Sequence, residues 1–239
     1  MGTISKSQVA IGNYHYVAYS FDYFLNSVKS IGAENIELWG AKPHFCVDDQ
    51  NRESVREFRK RVEDKGLSLI CFCPNRIHIR WISAAGIQAK KTEHRTYETG
   101  HRNHLMAGRW TGCFCARVTD MRMNRRRISG RDAGRPWKTC LGQQRSRGYV
   151  SMLETQSQEE SLFMNTVYQQ KEMMNQVDHP NLKAMLDTVQ LAQFDQSVRD
   201  DIKILGIENV RHVHLGNTLF RSGHGMTRSC RNVLEGEGK

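Results

Sequence analysis

The chain has 239 residues, with 35 Lys/Arg against 25 Asp/Glu and a formal net charge of +10. That length can bury a sizeable core, as one large domain or two small ones. Met1-Gly-Thr-Ile-Ser-Lys6 has no apolar signal-peptide region, no apolar run approaches the roughly 18 residues a membrane span needs, and seven cysteines lack the density of a secreted disulfide scaffold. No membrane partner is expected, and a reducing cytoplasm is the expected location.

In chain order, Gln8 to Ile11 reads as a short strand ending at Gly12. Ser20 offers an N-cap, after which Phe21, Phe24, Leu25, Val28 and Ile31 recur at helical spacing, and Gly32 suits the stop. Asn35 to Trp39 reads as a second strand. Val55, Phe58 and Val62 mark one face of a helix. Leu67 to Cys73 is apolar on both faces, as a buried parallel strand should be, with Cys71 and Cys73 packing as small hydrophobes.

From 75 to 148 the rhythm breaks. This block holds 17 Lys/Arg and four acids, Glu93, Glu98, Asp120 and Asp132, a net of +13, so the rest of the chain is mildly acidic. Arg125-Arg-Arg127, Gly134-Arg-Pro136 and Arg145-Ser-Arg-Gly148 do not suit a buried strand, and the block is expected to be irregular. It reads as out of frame. Met and Trp have single codons, which constrains the underlying bases of Asp120-Met-Arg-Met-Asn124 and Pro136-Trp-Lys-Thr-Cys-Leu141. Dropping two bases converts the first into an acidic loop and the second into an amphipathic segment. His94, His101, His104, Cys113 and Cys115 lack the paired hooks of a zinc site.

The alternation then resumes. Val150 to Leu153 is a strand ending at Glu154, and Asn165 to Gln176 is helical. Leu182 to Leu186 is a strand ending at Asp187, Ser197 to Leu205 a helix stopped by Gly206, and Val210 to Leu215 a strand carrying His212 and His214. This order argues for an α/β fold with a parallel sheet and helical crossovers. Polar residues at successive strand ends are what a (β/α)8 barrel active site requires. Glu154, Asp187 and His214 together suit a divalent cation such as Mn²⁺, Co²⁺ or Mg²⁺. Singly, a strand-end acid reads as a helix cap or a solvated loop residue, and a lone inward histidine as a core residue. His212 and His214 are expected to face opposite ways.

Five stretches carry a family likeness: Ile36-Glu-Leu-Trp-Gly-Ala-Lys-Pro-His44, Leu153-Glu-Thr155, Met185-Leu-Asp-Thr188, Arg211-His-Val-His-Leu215 and Gly236-Glu-Gly238. Through them the chain resembles the sugar phosphate isomerase/epimerase family, the xylose isomerase-like TIM barrels, and within it the ketose 3-epimerases and fructoselysine 3-epimerase-type proteins. The resemblance covers residues 8 to 74 and 149 to about 217. It implies one domain over 1–239, with 75–148 an anomalous basic segment inside it, and a barrel lacking its last strand. It implies a metal held by Glu154, Asp187 and His214, with a fourth ligand on that last strand. Glu154 would also transfer a proton, the substrate-side glutamate falls on Glu160, and Trp39 and His44 line the same mouth. Where the family often has a histidine three residues after the metal aspartate, this chain has Gln190.

The implied activity is metal-dependent isomerisation or epimerisation of a sugar or sugar phosphate, by proton transfer beside a ketose carbonyl, in a damaged copy with little turnover. The resemblance also allows a homo-oligomer. A second reading is an abasic-site endonuclease on the same barrel. It calls for a larger set of His and acidic ligands, for several zincs, than the sequence assembles. A third makes 75–148 a nucleic-acid module, but neither aromatic interleaving nor a helix-turn-helix pattern supports it, and no nucleic-acid partner is expected.

Overall fold

A computed structural model describes residues 3–46, 49–74, 113–117, 150–156, 164–192, 194 and 197–216. The chain divides into two compact units, 1–115 and 116–239.

In the first unit, β1 (Ala10–Gly12), β2 (Asn35–Gly40) and β3 (Ser68–Pro74) run parallel in chain order. Two helices make the crossovers. α1 (Phe21–Ser30) starts where Ser20 Oγ accepts from the Tyr23 N–H at 3.2 Å, and it buries Phe21, Phe24, Leu25 and Val28. Gly32 follows it at φ 72, a left-handed conformation that glycine adopts without strain. α2 (Arg52–Glu63) begins with a reciprocal cap: Asn51 Oδ1 accepts from the Glu53 and Ser54 N–H groups, and Ser54 Oγ accepts from the Asn51 N–H. Its buried face is Val55, Phe58 and Val62. Phe58 stacks on Phe21 with centroids 4.3 Å apart and meets Phe45 edge-on at 4.8 Å. Each such side chain contributes about 1.5–3 kcal/mol on burial. Leu69, Cys71, Phe72 and Cys73 are all buried, so β3 is apolar on both faces as expected.

Five residues of the basic block form β4 (Cys113–Arg117), which joins β3 in parallel with Cys71 opposite Cys113 and Phe72 opposite Phe114. This is an exception to the expected irregularity. Cys113-Phe-Cys-Ala116 is a short apolar run, which the charge averaged over 75–148 conceals. The rest of the block lies outside the described residues.

In the second unit, β5 (Val150–Glu154), β6 (Leu182–Asp187) and β7 (Val210–His214) are again parallel and in chain order. α3 (Val167–Val177) joins β5 to β6, capped by Thr166 Oγ1 and Gln169. Between β6 and β7 lie α4 (Thr188–Ala192) and α5 (Val198–Leu205). The sequence pattern did not reveal α4, whose one buried residue is Leu191. Val167, Ala184, Leu186, Leu191 and Leu205 form one core cluster; Leu153, Met164, Met173, Val177 and Leu182 form another. Among the described residues no helix is long and apolar enough to cross a membrane.

Candidate metal centre

Strand register explains how three distant residues meet. Glu154 is the last residue of β5 and pairs with Met185 of β6; Met185 also pairs with His212 of β7, and Asp187 pairs with His214. Registered partners on parallel strands project to the same face, and so do residues two apart on one strand. Glu154, Asp187 and His214 therefore share a face at the C-terminal ends of three neighbouring strands. The same period corrects the expectation that His212 and His214 face opposite ways. Both are half-buried between exposed neighbours, and their ring centroids are 5.3 Å apart.

His214 Nδ1 lies 3.4 Å from Glu154 Oε1 and 3.8 Å from Asp187 Oδ2. One ligand atom from each of the three residues falls within 4.8 Å of the others. Atoms bound to one ion at about 2.1 Å sit about 3 Å apart when adjacent and about 4.2 Å apart when opposite. Small side-chain adjustments would therefore bring these atoms to bonding distance, and two carboxylates with an imidazole suit a divalent cation. The Glu154 side chain is fully buried, whereas those of Asp187 and His214 keep 13% and 22% of their exposure, a route for solvent to the site.

Each carboxylate has one oxygen held by protein donors. Asp187 Oδ1 accepts from the Val189 N–H at 2.8 Å and the Gln190 N–H at 3.4 Å, at the start of α4. The helix-cap role expected of a lone strand-end aspartate is thus realised by Oδ1, while Oδ2 points to His214. Glu154 Oε2 accepts from Gln156 Nε2 at 3.1 Å, while Oε1 points to His214. Beyond the last rung of the β6–β7 ladder, Thr188 Oγ1 donates to Gly216 O at 2.8 Å and accepts from Gly216 N at 2.9 Å. This latch lies one residue past Asp187 and two past His214.

Trp39 and His44, expected as substrate contacts, lie in the first unit. Asn13, fully buried, accepts from the Trp39 N–H at 2.6 Å and donates to Trp39 O at 3.3 Å. Tyr14 meets the Trp39 ring edge-on at 5.0 Å. His44 has both ring nitrogens engaged: Nδ1 with Asn13 Nδ2 at 3.0 Å and Nε2 with Tyr19 O at 2.8 Å. An amide nitrogen only donates and a carbonyl only accepts, so this His44 is the neutral form protonated on Nε2. Glu160 lies outside the described residues. Sequence reasoning missed Asn13, Gln156 and Gln170. Gln170, on α3, donates from Nε2 to Leu153 O at 2.7 Å and Met185 O at 2.9 Å. A buried amide in a helix or loop carries no signal that separates it from a solvated one.

The family model described as the xylose isomerase-like TIM barrel matches residues 25–239. No curated protein matches the chain. Among solved structures, D-psicose 3-epimerase with D-tagatose from Clostridium cellulolyticum H10 superposes with a TM-score of 0.71 at 16% identity, covering 87% of this chain and 72% of that one. A D-psicose 3-epimerase in the presence of D-fructose gives 0.72 at 15%, covering 90% and 76%. The 3-keto-D-glucoside 4-epimerase from E. coli gives 0.66 at 12%, covering 88% and 79%. At these identities the likeness is one of fold.

Proposed function

Because the chain belongs to the xylose isomerase-like TIM barrel family, we propose that it is a divalent-metal-dependent isomerase or epimerase of a sugar or sugar phosphate, built as one domain over 1–239. The observation that carries this reading is the convergence of Glu154, Asp187 and His214, whose ligand atoms lie within 4.8 Å of one another at adjacent strand ends. Glu154 would bind through Oε1, Asp187 through Oδ2 and His214 through Nδ1, the atoms already facing each other. Mn²⁺, Co²⁺ or Mg²⁺ held there supplies Lewis acidity to a ketose carbonyl oxygen.

The chain's own residues do the rest. Glu154 takes the proton from the carbon beside the carbonyl, and its burial keeps that carboxylate away from bulk water. His214 must present the Nδ1 lone pair, which requires the tautomer protonated on Nε2. Glu160 is the candidate sugar-side carboxylate of the second unit. Trp39 and His44 are candidate sugar contacts of the first unit, Trp39 with a ring braced by Tyr14 and a backbone pinned by Asn13, His44 with a ring fixed at both nitrogens. The composition of 75–148 is unlike a barrel segment, and we expect low turnover from the chain as written.

The test is proton exchange. The purified chain with Mn²⁺ is incubated with ketoses and ketose phosphates in deuterated water, and deuterium at the carbon beside the carbonyl is followed by NMR. Slow incorporation that stops with EDTA and in Glu154→Gln is expected. Incorporation unaffected by EDTA, or equal in Glu154→Gln, contradicts the reading.

A further inference from the structure

Gln156 lies two residues beyond Glu154 and is fully buried. Its Nε2 donates to Glu154 Oε2 at 3.1 Å and to Thr155 O at 2.9 Å. Both neighbours are acceptors, so the nitrogen and not the oxygen of the amide must face them. The Gln156 backbone is fixed as well: its N–H donates to Met164 O at 2.7 Å and its carbonyl accepts from Asn165 Nδ2 at 2.8 Å. Its Oε1, by contrast, is buried and meets no partner among the described residues. A buried carbonyl left unpaired is unfavourable, and an apolar side chain of similar shape would avoid it. The fold alone does not account for an amide here; what Nε2 does for Glu154 does.

We propose that Gln156 is a positioning residue for Glu154, holding Oε2 so that Oε1 stays turned toward His214 and Asp187 as a preformed metal ligand. This rests on the metal-dependent reading of the same three residues. Asp187 receives the equivalent restraint from two backbone N–H groups at the start of α4. No substitution short of proline removes those, whereas the restraint on Glu154 can be deleted by changing one side chain. A carboxylate released from its donor can rotate and turn Oε1 away from His214. Removing a hydrogen-bond partner of a ligating group weakens metal binding by about 10- to 100-fold.

Gln170 provides the control. It too is fully buried with an unpartnered Oε1, but its Nε2 donates to the Leu153 and Met185 carbonyls and not to a ligand carboxylate. Mn²⁺ affinity is measured by titration calorimetry on the full chain, for wild type, Gln156→Met and Gln170→Met, alongside their melting temperatures. Gln156→Met is expected to weaken Mn²⁺ binding about 10- to 100-fold, with kcat still low at saturating Mn²⁺. Gln170→Met is expected to lower the melting temperature with Mn²⁺ affinity within about threefold of wild type, because the ligand side chains keep their own partners. If Gln156→Met does not fold, Gln156→Asn keeps the amide but withdraws it by one methylene, and carries the same expectation. Equal Mn²⁺ affinity in wild type and the Gln156 variants, or equal losses in both glutamine variants, overturns the proposal. A wild-type chain that binds no Mn²⁺ refutes the metal-dependent reading itself, and the positioning role with it.

Discussion

Adding Mn²⁺ should raise the melting temperature of this chain, by an amount that can be worked out in advance. The three ligand atoms lie on the ends of β5, β6 and β7 and converge only when those strands are paired. Unfolding disperses them, so the ion binds the native state preferentially. A ligand at 100 times its Kd then stabilises by about 2.7 kcal/mol. For a chain of this size each kcal/mol moves the midpoint by about 2–4 °C, giving a rise of about 5–11 °C. Residual binding to the unfolded chain reduces it. The assay is calorimetry or fluorescence melting with Mn²⁺, then with EDTA in excess. Asp187→Asn and His214→Ala should remove most of the rise. A rise that survives both substitutions would place the ion elsewhere, and no rise at millimolar Mn²⁺ would refute the reasoning.

Three further outcomes concern stability. Gly206 follows α5 at φ 87 and ψ 129, a region essentially restricted to glycine, and an added Cβ there would meet the Glu208 carboxylate. Gly206→Ala should therefore cost about 1–3 kcal/mol in chemical denaturation. Asn51→Ala removes the single oxygen that accepts from two N–H groups in the first turn of α2 and should cost about 1 kcal/mol, with Asn51→Ser retaining most of that stability. Burial, and next the charge of Asp200, push the Asp201 carboxyl above its usual range. The native state thus holds this proton to higher pH than the unfolded chain does. Its contribution is fully present below the unfolded value of 3.8 and is lost as pH rises through the raised native value. Melting curves should show Asp201→Asn more stable than wild type at neutral pH and equal to it below about pH 4.

What the sequence discloses depends on how local the physics is. Phe21, Phe24, Leu25 and Val28 announce α1 because one helix face buries all four, and Ser20 marks its start. Glu154 and Asp187 stand out because each ends an apolar run that a buried strand would otherwise continue. Asp187 shows the limit of such reasoning: capping α4 and facing His214 are alternatives on paper, yet its two oxygens do both. α4 escapes notice because it is one short turn with a single buried side chain, and β4 because its apolar run is embedded in Arg-rich flanks. The partners of Gln170 and Asn13 are set by tertiary contacts, 15 and 26 residues away in the chain. No spacing rule reaches that far.

The most direct test of the central claim is a crystal grown with Mn²⁺ and measured at the manganese absorption edge. One anomalous peak is predicted within about 2.0–2.3 Å of Glu154 Oε1, Asp187 Oδ2 and His214 Nδ1, the range of bonds from a small divalent ion to oxygen and nitrogen. A peak bounded by other residues, or none at these strand ends with Mn²⁺ at saturating concentration, would contradict it.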